Sequence, residues 1–177
     1  SGTPAGLVAY ERIWRFYAKD KKKDLMLAAQ EDQFRAYPKD PRNMAAYLSR
    51  GASFAEERDE SQALQAYKRA FELFQELYPD PKASPPPAAM SDLAYSALEK
   101  SANLELTKAN ALGNYASLPD DGKKQWKESI QRAIGLYRKA ILGLSSARVS
   151  PVLTKLVNLS LLRFKSGESP VEDCLLP

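Results

Sequence analysis

The sequence predicts an all-α fold of about seven helices, arranged as antiparallel helical hairpins in a short stacked array. Apolar residues recur every three or four positions along most of the 177-residue chain, which is the spacing of helices. No stretch keeps the alternating pattern of a strand. Proline clusters and charged runs separate the periodic segments. We expect a single domain over residues 1–166, followed by an acidic, flexible tail over 167–177.

Polar runs and prolines bound the first four predicted helices. We place these helices at residues 5–18, 24–37, 42–57 and 60–78. Pro38 and Pro41 end the second helix, because a proline removes a backbone donor and disfavours helix in the residue before it. Arg58 and Asp59 form a charged turn between the third and fourth helices, where carboxylates near a helix start act as caps. These two helices are expected to form a hairpin.

Three further helices are predicted after the proline-rich connector at 79–87. A long apolar stripe from Met90 to about Leu118 indicates a fifth helix, with an interruption near 101–103. A sixth helix is predicted over 123–145. The seventh is expected to start at a Ser150 cap, with Pro151 in its first turn, and to end near residue 165.

Composition argues against several chemistries and leaves the compartment open. The chain has no His and one Cys, Cys174, so His- or Cys-based metal sites, Ser-His or Cys-His nucleophile pairs and disulfides are excluded. We expect no enzyme activity, no cofactor and no metal. No apolar run reaches the roughly 20 residues that cross a bilayer, so we expect a soluble protein. Because the chain begins at Ser1 without Met, we expect a processed or trimmed product.

Positive charge is concentrated near the end of the chain. The net charge is +4, yet residues 122–165 carry ten basic residues and one acidic residue. This asymmetry indicates either a solvated helix face or, as the alternative function, a binder of anionic partners through segment 123–165. Such a partner would be a nucleic acid or a membrane surface. This alternative is less favoured than an interaction module, because the segment lacks Gly-rich or aromatic-interleaved motifs, and we do not expect nucleic acid as a partner.

A motif of small and aromatic residues marks the third and fourth helices. It consists of Tyr47, Arg50, Gly51 and Phe54 on the first helix, then Ala63, Tyr67 and Ala70 on the second. This pattern resembles the tetratricopeptide repeat, with Arg50 at a position that the family usually fills with Leu. Small residues would let the two helix axes approach, and the aromatic rings would fill the space beside them.

A second copy of the motif is predicted further along the chain. It reads Ala109, Leu112, Gly113 and Ala116, then Ala133, Tyr137 and Ala140. Gly113 and Ala133 are 20 residues apart, whereas Gly51 and Ala63 are 12 apart, which implies an insertion of eight residues around 118–124. The echo between the two alanine–aromatic–alanine series is the strongest indication of a repeat.

The resemblance implies a protein–protein interaction module, a scaffold or adaptor that binds a peptide or protein partner in a helical groove. The candidate groove residues are Tyr47, Arg50, Phe54, Lys108, Asn110 and Asn114. Asn110 and Asn114 are four residues apart, so they would share one face of a helix. The Arg50 side chain must pair with an acidic residue, extend its aliphatic part until the guanidinium reaches solvent, or face the groove.

The last helix is apolar on nearly every side. A terminal helix of an array normally exposes a polar face. The helix is therefore expected either to insert between other elements or to supply a homodimer or partner surface, with Leu159 and Leu162 as the candidate contact residues.

Overall fold

The computed structural model describes residues 3–81 and 83–165. Within those residues the chain forms seven α-helices, one 3₁₀ turn and no strand, which confirms the all-α prediction. The helices are α1 (Pro4–Lys19), α2 (Lys23–Ala36), α3 (Asn43–Glu56), α4 (Glu60–Leu77), α5 (Ala88–Leu112), α6 (Asp120–Ile141) and α7 (Ser146–Lys165), with the 3₁₀ turn at Tyr115–Ser117.

The chain packs as two compact units, Ser1–Ala94 and Tyr95–Pro177. Each unit is described by itself below. The single domain over 1–166 stays a prediction, and the tail predicted at 167–177 lies outside the described residues.

In the first unit, local chemistry sets the helix starts and the turns between paired helices. The Thr3 hydroxyl accepts a hydrogen bond from the Gly6 amide at 3.2 Å and starts α1. Asp59 accepts from the Gln62 amide at 3.1 Å, which confirms its predicted capping role at α4. Lys21 and Arg58 adopt left-handed φ values of 55° and 62°, and this conformation reverses the chain within each pair.

The first unit consists of two helical hairpins, α1–α2 and α3–α4, and α2 also packs against α3. A buried cluster joins helices α1, α2 and α3: Trp14, Met26, Ala29, Phe34 and Ala46, with Tyr17, Ala18, Leu27 and Tyr47 packed around it. Neighbouring helices therefore share one continuous apolar layer, as the periodicity predicts.

Helices α3 and α4 approach closely where the motif places small residues. A Cβ at Gly51 would lie 2.6 Å from Tyr67 Cδ1, so only glycine fits against that ring. Ala63 and Ala70 are fully buried on α4 on either side of Tyr67. The predicted close approach of α3 and α4 at Gly51 is thus confirmed.

A chain of buried polar side chains links α1, α2 and the start of α3. Trp14 Nε1 donates to Gln33 Oε1 at 2.9 Å, and Gln33 Nε2 donates to Asn43 Oδ1 at 2.7 Å. Asn43 Nδ2 in turn donates to the Tyr37 carbonyl at 2.6 Å. Gln33 and Asn43 are completely buried, so these bonds replace the water that each group loses on folding.

Replacing Gln33 by Leu is expected to lower the free energy of unfolding by about 2 kcal/mol, since it leaves the Trp14 indole N–H and one Asn43 acceptor unpaired inside the core. Chemical denaturation followed by circular dichroism measures this loss. Gln65→Leu, on the exposed side of α4, serves as the matched control and is expected to change stability by less than about 0.5 kcal/mol. Equal effects of the two substitutions would contradict the role of the buried chain.

The second unit is formed by α6 and α7 against the part of α5 that begins at Tyr95. Ala133, Tyr137 and Ala140 are all fully buried on α6. Tyr137 Oη donates to Asn103 Oδ1 on α5 at 2.7 Å. Burial, reinforced by the negative charge of Glu99, raises the pKa of Tyr137 to about 12, so the phenol keeps its proton. The alanine–aromatic–alanine series is therefore buried on α6, as it is on α4.

The other half of the predicted second copy is wrong. Helix α5 ends at Leu112, and Gly113 follows with φ 99° and nothing within 4 Å of a Cβ built on it. Gly113 therefore ends a helix and does not sit between two of them. Ala116 lies exposed in the 3₁₀ turn.

Two other predicted boundaries also need correction. Helix α5 is continuous through 101–103, where the buried Ser101 hydroxyl donates to the Ala97 carbonyl at 2.9 Å and needs no break in the helix. Helix α7 begins at Ser146, with Pro151 inside it. The Ser145 carbonyl accepts from the amides of Arg148 and Val149, which forms a helical turn before the predicted Ser150 cap.

Candidate functional site

Tyr47, Arg50 and Phe54, three of the predicted groove residues, line one surface groove of about 320 Å³ between α3 and α4. Their spacing of three and four residues places them on one face of α3. The α4 side of the groove is formed by Gln62, Gln65, Ala66, Lys68, Arg69 and Glu72. The structure thus brings half of the predicted set together and adds residues of α4 that the sequence analysis missed.

Helix α2 fixes the aromatic floor of this groove from the other side of α3. The Tyr47 ring stacks on Phe34 with centroids 4.1 Å apart and an interplanar angle of 18°. Lys23 Nζ lies 4.3 Å from the centroid of the Phe54 ring. These contacts restrict both rings, so the floor is formed before any ligand arrives.

Arg50 finds both an acid and neutral acceptors on α2. Its guanidinium lies 3.3 Å from Glu31 Oε2 and donates to Gln30 Oε1 at 3.3 Å and to the Leu27 carbonyl at 3.2 Å. It also lies 4.9 Å from the centroid of the Phe34 ring. Arg50 therefore ties α2 to α3 while its stem lines the groove, which explains an Arg at a position that the motif leaves to an apolar residue.

The α4 rim carries a network of charges. Arg69 pairs with Glu76 at 2.7 Å and with Glu72 at 3.4 Å, and Lys68 pairs with Glu72 at 3.5 Å. The hydrogen bond with Glu76 is the main reason that the pKa of Arg69 is raised, and a hydrogen bond with Tyr47 adds to it. The rim is therefore polar and charged above an aromatic floor.

Gln62 and Gln65 stand at the rim with unused hydrogen-bonding capacity. Both residues are exposed, and neither side-chain amide bonds to another residue in the described part of the chain. Each amide can donate two hydrogen bonds and accept two. These glutamines could have been located from the sequence, because the buried face defined by Ala63, Tyr67 and Ala70 fixes which side of α4 borders α3.

A second cavity, of about 310 Å³, lies between α3 and the α1–α2 turn. Tyr17, Lys21, Met26 and Ser49 are among its lining residues. It has no aromatic floor comparable to that of the α3–α4 groove.

The remaining predicted groove residues do not form a site of this kind. Lys108 lies on α5 within 3.4 Å of Glu105. Asn110 is exposed near the end of that helix, and Asn114 lies beyond it. The Asn114 side chain accepts from the Ala116 amide at 3.1 Å and starts the 3₁₀ turn. Because α5 ends at Leu112, the prediction that Asn110 and Asn114 share a helical face is wrong.

Three of the ten basic residues in segment 123–165 form ion pairs with carboxylates of α5 in the same unit. Arg132 lies 2.9 Å from Glu105, which is 5% exposed. Arg148 and Lys155 lie 3.1 and 3.4 Å from Glu99. These pairs attach α6 and α7 to α5, so this part of the charge is engaged within the protein.

Helix α7 has one buried and one exposed apolar face. Leu159 is 2% exposed and lies in the core of the second unit, so its prediction as a surface contact is wrong. Leu162 is 46% exposed, and Val157 and Leu161 are each 55% exposed. The helix therefore packs inward and still presents an apolar stripe outward.

In the described ranges, 3–81 and 83–165, no three His, Cys, Asp or Glu side chains are grouped so as to hold a metal ion. No helix in those same ranges has the length and apolarity needed to span a membrane. The chain matches no protein-family model, no curated protein and no solved structure.

Proposed function

We propose that this protein is a non-enzymatic interaction module that binds an extended peptide segment of a partner protein in the α3–α4 groove. The observation that carries the proposal is the combination of a fixed aromatic floor, Tyr47 and Phe54, with two unpaired glutamines, Gln62 and Gln65, at the rim. Concave sites with apolar walls and a few polar groups at their edge are the usual form of ligand sites.

The groove chemistry favours a particular kind of peptide. An apolar side chain would cover the aromatic floor, while the glutamine amides donate to and accept from the peptide backbone. The charged lining residues are already paired within the protein, Arg50 with Glu31, and Lys68 and Arg69 with Glu72 and Glu76. The bound segment should therefore be recognised through its apolar residue and its backbone, without a required charge.

The helical packing supports a tetratricopeptide-like array as the scaffold. Both alanine–aromatic–alanine series are buried, and Gly51 meets Tyr67 where the motif requires close approach. Modules of that family act as scaffolds or adaptors by holding peptides, which agrees with the proposed role. The exposed stripe at Val157, Leu161 and Leu162 supports a further partner or homodimer surface on the last helix.

Selection from a displayed library of random 12-residue peptides tests the proposal. We expect enriched peptides that share an apolar residue. Gln62→Ala combined with Gln65→Ala should weaken a selected synthetic peptide at least tenfold, about 1.4 kcal/mol, because the rim amides no longer bond its backbone. Fluorescence anisotropy measures the dissociation constant.

The matched control is Gln131→Ala, which removes an exposed glutamine from α6. It should leave the affinity unchanged, and circular dichroism should show that all variants stay folded. The proposal is wrong if no peptide is enriched, or if the selected peptides bind the double variant and the wild-type protein equally well.

A further inference from the structure

The α4 wall of the α3–α4 groove recedes at Ala66. Ala66 lines the groove and is 6% exposed, and Gln62 and Arg69 line the same wall with longer side chains. Residues three and four positions apart share one face of a helix, so these three side chains lie in a row along the groove. The side chain of Ala66 ends at Cβ, so the wall is lowest at this position.

The opposite wall presents only an aliphatic surface near Ala66. Gly51 on α3 faces Tyr67, the neighbour of Ala66, so Arg50 lies at about the same level of the hairpin. The Arg50 guanidinium lies 3.3 Å from Glu31 Oε2 on α2, and its other hydrogen bonds also end on that helix. The part of Arg50 that lines the groove opposite Ala66 is therefore its aliphatic stem.

The two ends of the groove differ in polarity. At one end Arg69 donates a hydrogen bond to Tyr47 on α3 and pairs with Glu76 at 2.7 Å. An apolar side chain that displaced these contacts would leave polar groups without partners, which is costly. At the other end the groove is lined by the Phe54 ring. An apolar side chain that enters the groove therefore fits best between Phe54 and Ala66.

We propose that Ala66 selects the size of the apolar side chain that the groove binds, and that this side chain, the anchor, is a large one such as Leu, Met or Phe. The inference rests on the proposed function of the groove and makes it more specific. A wall that is lowest at a methyl group admits a long anchor, which covers the Phe54 ring and the Arg50 stem. A small anchor would leave both surfaces in contact with water.

The test is a pair of substitutions that fill the space at position 66 in steps. Ala66→Val and Ala66→Leu should weaken a synthetic peptide selected on the wild-type protein, the second at least tenfold, because the added carbon atoms occupy the volume that the anchor needs. Fluorescence anisotropy measures the dissociation constants. A second selection from the same 12-residue library, on Ala66→Leu protein, should enrich peptides with a smaller anchor, Ala or Val.

A double-mutant cycle separates a fit between the two side chains from a general loss of binding. Shortening the anchor of the selected peptide to Ala should weaken its binding to the wild-type protein at least tenfold. The same change should weaken binding to the Ala66→Leu protein less than threefold, because the larger side chain already fills the space. Equal losses on the two proteins would overturn the proposal.

Ala55→Leu is the matched control, because Ala55 is partly exposed on α3 and does not line the groove. It should bind the selected peptide as the wild type does. Circular dichroism checks that each variant is folded. Ala66→Val adds less volume than Ala66→Leu, so it provides the comparison if the larger substitution unfolds the protein.

Failure of this inference can be told apart from failure of the proposed function. If binding requires Gln62 and Gln65 but is unchanged by both substitutions at Ala66, then Ala66 does not set the anchor size and the groove proposal stands. The same conclusion follows if selection on Ala66→Leu protein returns the same large anchor. If no peptide is enriched on the wild-type protein, both proposals are wrong.

Discussion

Replacing Gly51 by Ala is expected to lower the free energy of unfolding by about 3 kcal/mol, because the new Cβ enters the space of the Tyr67 ring. The Cβ would lie 2.6 Å from Tyr67 Cδ1, and Tyr67 is 3% exposed with its ring packed between α3 and α4. Neither the ring nor the helix backbone can move away without opening the hairpin.

Gly135→Ala is the matched control for this substitution. Gly135 also lies inside a helix, but nothing is within 4 Å of a Cβ built there. Alanine should stabilise α6 by about 0.5–1 kcal/mol, through its better helix propensity. Denaturant titration of both variants gives the comparison. A Gly51→Ala protein as stable as the wild type would show that α3 and α4 are further apart than the structure has them.

Leu159→Asp is expected to destabilise the second unit by about 4 kcal/mol, whereas Leu162→Asp should change stability by less than about 0.5 kcal/mol. Leu159 shares the buried face of α7 with Val152 and Leu156, which are 1% and 3% exposed. A carboxylate at position 159 would lose its hydration and lie among apolar side chains. Leu162 is 46% exposed, so its substituent stays in water.

Thermal unfolding followed by circular dichroism distinguishes the two leucines, and light scattering reports the mass of each folded variant. If both substitutions unfold the protein, or neither does, the assignment of the two faces of α7 is incorrect. A dimeric wild type that becomes monomeric with Leu162→Asp would support the homodimer surface predicted for the last helix.

The first unit could be predicted in detail because its determinants are local. The spacing from Gly51 to Ala63, Tyr67 and Ala70 is set by two short helices and one tight turn, so sequence distance converts directly into position. The cap at Asp59 follows from the same turn. Helical periodicity and turn chemistry agree throughout this hairpin, which is the condition under which sequence patterns are informative.

The residues of α5 that face α6 could not be predicted from sequence spacing in the same way. The motif at Ala109 to Ala116 has suitable residue types, but Gly113 takes φ 99° and ends the helix. Residue type does not distinguish a glycine that allows close packing from one that ends a helix, because both functions use its missing Cβ. The α6 half of the motif was found correctly, whereas its partner residue, Asn103, lies earlier on α5.

The candidate groove was half predictable. Tyr47, Arg50 and Phe54 were found through the motif, whereas Gln62 and Gln65 were missed because the motif specifies only the buried residues of α4. The ion pairs of Arg132, Arg148 and Lys155 could not be predicted from the sequence, since their partners Glu99 and Glu105 lie 27 to 56 residues away. The count of basic residues in segment 123–165 therefore overstated how much of its positive charge is available to a partner.

The central claim is that a peptide occupies the α3–α4 groove. Titration of ¹⁵N-labelled protein with the selected 12-residue peptide, followed by amide chemical shifts, tests it most directly. We predict that the largest shift changes fall on residues 47–54 and 62–72 and that the Gln62→Ala/Gln65→Ala variant loses them at the same peptide concentration. Shift changes that concentrate elsewhere, or persist unchanged in that variant, would contradict the account.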